Sequence, residues 1–203
     1  MDDDVRPMNN QSLPPIVSAE QLTHRQDVVF CDVRWYLDRT TGHQKYNEGH
    51  IPGAIFVDLD EHLATLPRKS AGRHPMPAAA SFAASMGSLG ISHQTPVVAY
   101  DDSGGMSAGR FVWMLRSVGH EAALLDGGLQ SWTGELETLP VIRESVDHPI
   151  RAWPPDLFAD ADAAGLAGEK SDETLVDSRS SDRFSGEYEP VDPQAGHIPG
   201  VTN

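Results

Sequence analysis

Pro96-Val97-Val98-Ala99-Tyr100-Asp101-Asp102-Ser103-Gly104-Gly105-Met106-Ser107 runs from a short apolar stretch straight into a glycine-rich turn. An unbroken apolar run that contains β-branched residues fits a strand buried on both faces. From Ser107 to Val118 the period changes. Phe111, Met114, Leu115 and Val118 fall on one face of a helix, with Ser107 placed to cap it and Gly119 at its C′ position. The unit reads strand, turn, helix, and its neighbours repeat it. Ala122 to Leu125 is a further strand, followed by Asp126-Gly127-Gly128 and a short helical turn ending near Trp132. On the other side, Pro77 precedes a helix from Ala78 to Leu89 that Gly90 ends. Val28 to Val33 and Ala54 to Leu59 are two more buried-strand patterns, and Ser18-Ala19-Glu20-Gln21 fits a capping box at the start of a short helix. Strands alternating with helices from Ser18 to Trp132 predict an α/β domain with a central, mostly parallel sheet flanked by helices.

Composition narrows the function. Lys and Arg number 15 against 30 Asp and Glu, a net charge of −15 that excludes a nucleic-acid binder, which needs clustered cations, and argues against an anionic membrane surface. No apolar run approaches the ~18 residues of a membrane span. The start, Met1-Asp2-Asp3-Asp4, is acidic where a secretory signal is basic, so a cytoplasmic protein is expected. Cys31 is the only cysteine, which leaves no intrachain disulfide and no CxxC motif. It sits in a buried-strand pattern beside Phe30, where an apolar setting makes a thiol inert. Nine histidines invite a metal reading. His43, His50, His62 and His74, however, fall in different elements and match no i,i+4 or HxH ligand pattern, so neither a metal nor a cofactor is expected. Asp101-Asp102 lacks the third carboxylate of an EF-hand loop.

The chain then begins again. Leu175-Val176-Asp177-Ser178-Arg179 echoes Phe30-Cys31-Asp32-Val33-Arg34, and Gly196-His197-Ile198-Pro199-Gly200 echoes Gly49-His50-Ile51-Pro52-Gly53. Two motifs in the same order, at nearly the same offset, argue for a tandem duplication. The expected organisation is a loose tail over 1–15, a complete domain over 16–140, a linker over 141–172, and the N-terminal fragment of a second copy over 173–203. Half a parallel-sheet domain would leave strand edges and apolar side chains uncovered, so the natural product is expected to continue past Asn203.

In open α/β sheets ligands bind beyond the carboxyl ends of the strands, where helix N-termini point free amides at anions. The loop at Asp101 occupies that place. Its leading carboxylate is stabilised by N–H groups but is a poor nucleophile, and the same residues also read as an ordinary strand–helix connection. Together, Asp32-Val33-Arg34, Glu48-Gly49-His50-Ile51-Pro52-Gly53-Ala54, Val97 to Asp101, and Leu125-Asp126-Gly127-Gly128-Leu129-Gln130-Ser131-Trp132 resemble rhodanese domains. The tandem layout resembles the two-domain thiosulfate and 3-mercaptopyruvate sulfurtransferases, truncated within the second domain.

The resemblance implies a rhodanese-like fold and a definite chemistry. A thiolate in a loop of backbone amides attacks the sulfur of thiosulfate or 3-mercaptopyruvate, and the resulting persulfide passes its sulfur to cyanide or a thiol. In that family the first domain carries Asp where the second carries the catalytic Cys. Asp101 matches the Asp version, so residues 16–140 are expected to be the non-catalytic half. The repeat offset places the nucleophile beyond Asn203, which leaves no catalytic residue in the chain and the chain itself inactive. Arg183 matches the arginine that holds the anionic end of the substrate, for which a guanidinium fork is suited; the alternative is a solvated loop arginine. The further arginine that 3-mercaptopyruvate-preferring members carry after Glu-Pro is absent, because Glu189-Pro190 is followed by Val191-Asp192, and this tilts the expectation to thiosulfate. His50 and His197 recur in both copies and read as imidazoles bonded to backbone, with a minor role left open for His50 at the interdomain crevice. The pairs Asp32–Arg34 and Asp177–Arg179 read as structural. The implied partners are a small-molecule sulfur donor, a cyanide or thiol acceptor, and the rest of the second domain packed against the first. A second reading is a non-catalytic rhodanese-like module for protein interaction or anion binding. A cysteine phosphatase on the same fold would need Cys-x5-Arg after the third strand, where Asp101 stands.

Overall fold

The computed structural model describes residues 12–38, 41–67, 72–170 and 172–203 and divides into two compact units, Met1–Trp153 and Pro154–Asn203. The first is an α/β domain around a five-stranded sheet of β1 (Ile16–Val17), β2 (Val29–Asp32), β3 (Ile55–Phe56), β4 (Val97–Tyr100) and β5 (Ala122–Leu125). The order is β1-β5-β4-β2-β3 and every pairing is parallel. Parallel neighbours need crossovers, and these are supplied by α1 (Gly42–Glu48), α2 (Leu59–His62), α3 (Ala79–Ser88) and α4 (Met106–Ser117), with 3₁₀ turns at Glu20–Leu22 and Gly128–Ser131.

Strand side chains alternate between faces, and both faces of this sheet are covered. Val97 and Ala99 of β4 pack with Phe82 and Met86 of α3 and Phe111, Met114 and Leu115 of α4. Val98 and Tyr100 point the other way, into a core with Val17, Leu22, Ile51 and Leu125. Among the described residues no helix is long and apolar enough to cross a membrane.

Several local expectations meet their physical cause here. The capping box is reciprocal: the Ser18 N–H donates to Gln21 Oε1 (2.9 Å) and the Gln21 N–H to Ser18 Oγ (3.3 Å). The strand expected over 54–59 is only Ile55–Phe56, because Asp58 accepts the N–H groups of Asp60 and Glu61 and starts α2. The cap expected at Ser107 is displaced: Gly105 holds the N-cap position of α4 with φ +86°. Of the tail read over 1–15, residues 1–11 lie outside the described residues, while Leu13 is buried and its N–H donates to the Glu121 carboxylate (2.7 Å).

The stretch read as a linker is divided between the units. Residues 141–153 form a strap on the first. Val141 and Trp153 pack against its core, the Val146 N–H donates to the Gly87 carbonyl (3.0 Å), and the Trp153 indole N–H donates to the Pro77 carbonyl (2.8 Å). The second unit holds a 3₁₀ turn at Pro155–Leu157, α5 (Ala161–Glu169), α6 (Ser181–Ser185) and a parallel bridge between Val176 and Thr202. None of its described residues is buried.

Candidate functional site

The site grows from the carboxyl end of β4. Asp101 is fully buried, and its carboxylate fills the turn that follows: Oδ1 accepts the N–H groups of Ser103 (3.0 Å) and Gly105 (2.8 Å), Oδ2 those of Ser107 (2.9 Å) and Ala108 (2.9 Å). Two of these amides belong to the first turn of α4, whose N–H groups have no partner inside the helix. The side chain of Asp101 therefore caps the helix from outside it, which is why Ser107 is not needed as a cap. The Ser107 hydroxyl is left buried without a hydrogen-bond partner. A ring of four amides about one anion is a pocket for negative charge, and here its occupant is part of the chain.

The surroundings hold that loop in place. The Leu129 N–H donates to the Asp101 carbonyl (2.9 Å). Gly128 makes this approach possible: its φ is +57°, and a Cβ there would meet the Asp101 carbonyl oxygen at 2.4 Å. The Tyr36 hydroxyl donates to Asp102, and burial together with that carboxylate pushes the Tyr36 phenol well above its usual range. Tyr100, also buried, donates from its hydroxyl to Asp32 (3.0 Å) and accepts the Ile51 N–H (3.1 Å). Spacing alone gave no signal for Tyr36, Tyr100 or Gly128 as parts of this constellation.

Asp32 and Arg34 form a buried pair at the end of β2. The Arg34 Nη2 donates to Asp32 (2.6 Å) and onward to the carbonyl of Gly49 (2.7 Å). This bond anchors the Gly49-His50-Ile51-Pro52-Gly53 turn. His50 is 0% exposed; its ring stacks on Tyr46 with centroids 3.8 Å apart, and its Nδ1–H donates to the Tyr46 carbonyl (2.8 Å). The Nε2 is 3.4 Å from the Glu137 carboxylate and has no hydrogen bond.

The second unit repeats this geometry. Arg179 Nη2 donates to Asp177 (2.6 Å) and to the Gly196 carbonyl (2.7 Å), and His197 stacks on Phe184 at 3.8 Å with Nδ1–H donating to the Phe184 carbonyl (2.7 Å). Arg183 is engaged by acids of its own loop. Its Nε donates to both oxygens of Glu189 (3.1 and 3.0 Å) and its Nη2 to Asp192 (2.7 Å). The Asp192 N–H, then the Arg183 guanidinium, hold the Glu189 carboxyl down at about 2.

Cys31 lies inside β2 at 0% exposure, with the Val29 carbonyl 4.0 Å from its sulfur, and burial pushes its thiol far above the ordinary range. Burial of this kind disfavours the thiolate, and only the thiolate attacks sulfur.

Residues 17–135 match the family model described as a rhodanese-like domain. The chain belongs to the rhodanese-like family. A Mycobacterium tuberculosis protein bearing the name of a thiosulfate sulfurtransferase, SseB, is 40% identical over 186 residues, 87% of this chain and 63% of that protein. The human 3-mercaptopyruvate sulfurtransferase is 38% identical over 194 residues, 88% of this chain and 62% of that protein. This rhodanese-like chain thus spans less than two thirds of the length of both relatives. Among solved structures, SseA from Escherichia coli, of the 3-mercaptopyruvate sulfotransferases, superposes with a TM-score of 0.75 at 28% identity, covering 93% of this chain and 74% of that one.

Proposed function

We propose that these 203 residues are the non-catalytic domain and the opening of the catalytic domain of a two-domain sulfurtransferase. It moves sulfane sulfur from thiosulfate, or from 3-mercaptopyruvate, to a thiol or cyanide through a cysteine persulfide carried by the second domain. The observation behind this reading is the Asp101 carboxylate, which occupies the amide ring that in the working copy would receive the thiolate and its persulfide. The matching Asp–Arg–Gly and aromatic–His geometry of the two units supports a tandem duplication. The relatives' greater length agrees with a second domain larger than the part present here. His50, buried and bonded to backbone, is read as holding its turn rather than touching substrate.

Arg183 is the proposed grip for the donor's anionic end. Because Asp192 already takes its Nη2, an incoming sulfonate or carboxylate must displace a carboxylate, which favours a small, doubly charged donor such as thiosulfate. The filled amide ring weighs against the alternative of a free-standing anion-binding module using the first-domain loop.

The test is a thiosulfate:cyanide assay of this chain beside its Cys31→Ser variant, with mass spectrometry after exposure to donor. Equal, blank-level turnover and no added sulfur on Cys31 are expected. Turnover that disappears in Cys31→Ser would overturn the placement of the nucleophile.

A further inference from the structure

At the end of the sheet opposite the Asp101 loop, where β4 and β5 begin, three imidazoles meet. His93 precedes β4, His120 precedes β5, and His148 comes from the strap. One nitrogen of each ring lies within 4.8 Å of the others'. The ring centroids are 5.4 Å (His93–His120), 5.5 Å (His120–His148) and 6.1 Å (His93–His148) apart.

Their hydrogen bonds decide which nitrogens remain. His120 is 2% exposed and its Nε2–H donates to the Thr95 carbonyl (2.8 Å), which leaves Nδ1 as a bare lone pair, buried and without a partner. His148 donates from Nδ1–H to the Ile91 carbonyl (2.9 Å), which leaves its Nε2. The Nδ1 of His93 is likewise buried and unpartnered. A buried lone pair with nothing to accept from is a cost that folding does not otherwise repay. His120 and His148 each give one N–H to a backbone carbonyl, which fixes the tautomer and leaves the other nitrogen for a ligand, the arrangement of metal-binding imidazoles with their supporting shell.

We propose that His93, His120 and His148 form a binding site for a divalent ion of the zinc class, with water or another small ligand in the fourth position. Tetrahedral Zn–N bonds of about 2.1 Å set neighbouring nitrogens about 3.4 Å apart, so the rings close inward on the ion. An all-imidazole set selects zinc-like ions over calcium or magnesium, which take oxygen ligands. Arg151, whose guanidinium donates to the Val118 carbonyl, places a positive charge near His93 and His120 that opposes a bound cation. Bound metal would staple the strap to the two loops that start the central strands, at the end of the sheet opposite the Asp101 loop.

Untagged, chelator-treated protein titrated with zinc sulfate in a calorimeter should bind one ion and unfold at a higher temperature in its presence. Cobalt in place of zinc should give the intense visible bands of a tetrahedral site, and ring-proton NMR should show the signals of His93, His120 and His148 perturbed together. The two partly buried ligands are the ones to replace: His93→Gln and His148→Gln should each weaken zinc at least about tenfold, with metal-free stability measured beside it because His148→Gln also gives up the bond to the Ile91 carbonyl. No binding, an octahedral cobalt spectrum, or ring signals of those three histidines that ignore the metal would overturn the site, whether or not the variants fold.

Discussion

A single carboxylate does the work of a helix cap, a loop scaffold and an anion in the first unit. Asp101 takes four amides, two on each oxygen. Replacing it with Asn keeps the shape but turns one acceptor into a donor facing two N–H groups. Loss of two charge-assisted bonds should cost at least about 3 kcal/mol, read as a shift in the urea midpoint at constant slope. A change below about 1 kcal/mol would mean that the amide ring does not depend on its charge. The sequence could nominate Asp101, because a carboxylate after a strand and before Gly104-Gly105 has few other uses. It could not show that the cap would come from there, since a side chain reaching six and seven residues ahead follows no local capping rule, and so Ser107 took the cap in the sequence reading. The three-histidine cluster was hidden for a similar reason. Its members are 27 and 28 residues apart and no ligand spacing joins them.

Elements with a strong period were legible and elements without one were not. The strands at 97–100 and 122–125 and helices α3 and α4 stand where the apolar patterns put them, because burial on both sheet faces fixes each residue's environment. Helix α1 was not foreseen: Gly42–Glu48 carries a single buried side chain, Tyr46, and owes its start to Thr41, which accepts the Gln44 N–H. Two-residue β1 is too short for any pattern. In the second unit, α6 and the loop after it are organised by charge rather than by apolar surface, and this gives a prediction for pH. The Asp177 carboxyl is held at about 2, chiefly by Arg179, and Glu189 at about 2 by the Asp192 N–H and Arg183. Both acids have folded values below their unfolded ones, so their contribution is complete above the unfolded values and is lost as pH falls through about 2. Carbon-detected NMR of the side-chain carboxyls should therefore give midpoints near 2 for both residues. Midpoints near 4 would show that the Arg–carboxylate geometry does not persist in solution.

The two units differ in what holds them. The first buries strand side chains on both faces and is closed by the strap, whose Trp153 ring lies 5.1 Å from Phe82 and whose Val141 N–H donates to the buried Tyr46 hydroxyl (2.9 Å). A run with no period reads as linker in sequence, yet a few anchors suffice to fix it, because the backbone bonds it makes go to a carbonyl and a hydroxyl already held by the core. The second unit has the same motif geometry and no buried residue among those described, so it lacks the hydrophobic term that offsets chain entropy. Cutting the chain at the boundary separates these cases. A fragment ending at Trp153 should melt in one cooperative transition. A fragment ending at Pro140, which deletes the strap, should melt at a lower temperature, with a stability loss on the order of 2 kcal/mol or more for the uncovered aromatic and aliphatic surface. The peptide 154–203 should show no cooperative transition and no dispersion of its methyl resonances. A sharp melt for that peptide would mean that the ion pairs around Arg179 and Arg183 can fold a domain without a buried apolar core.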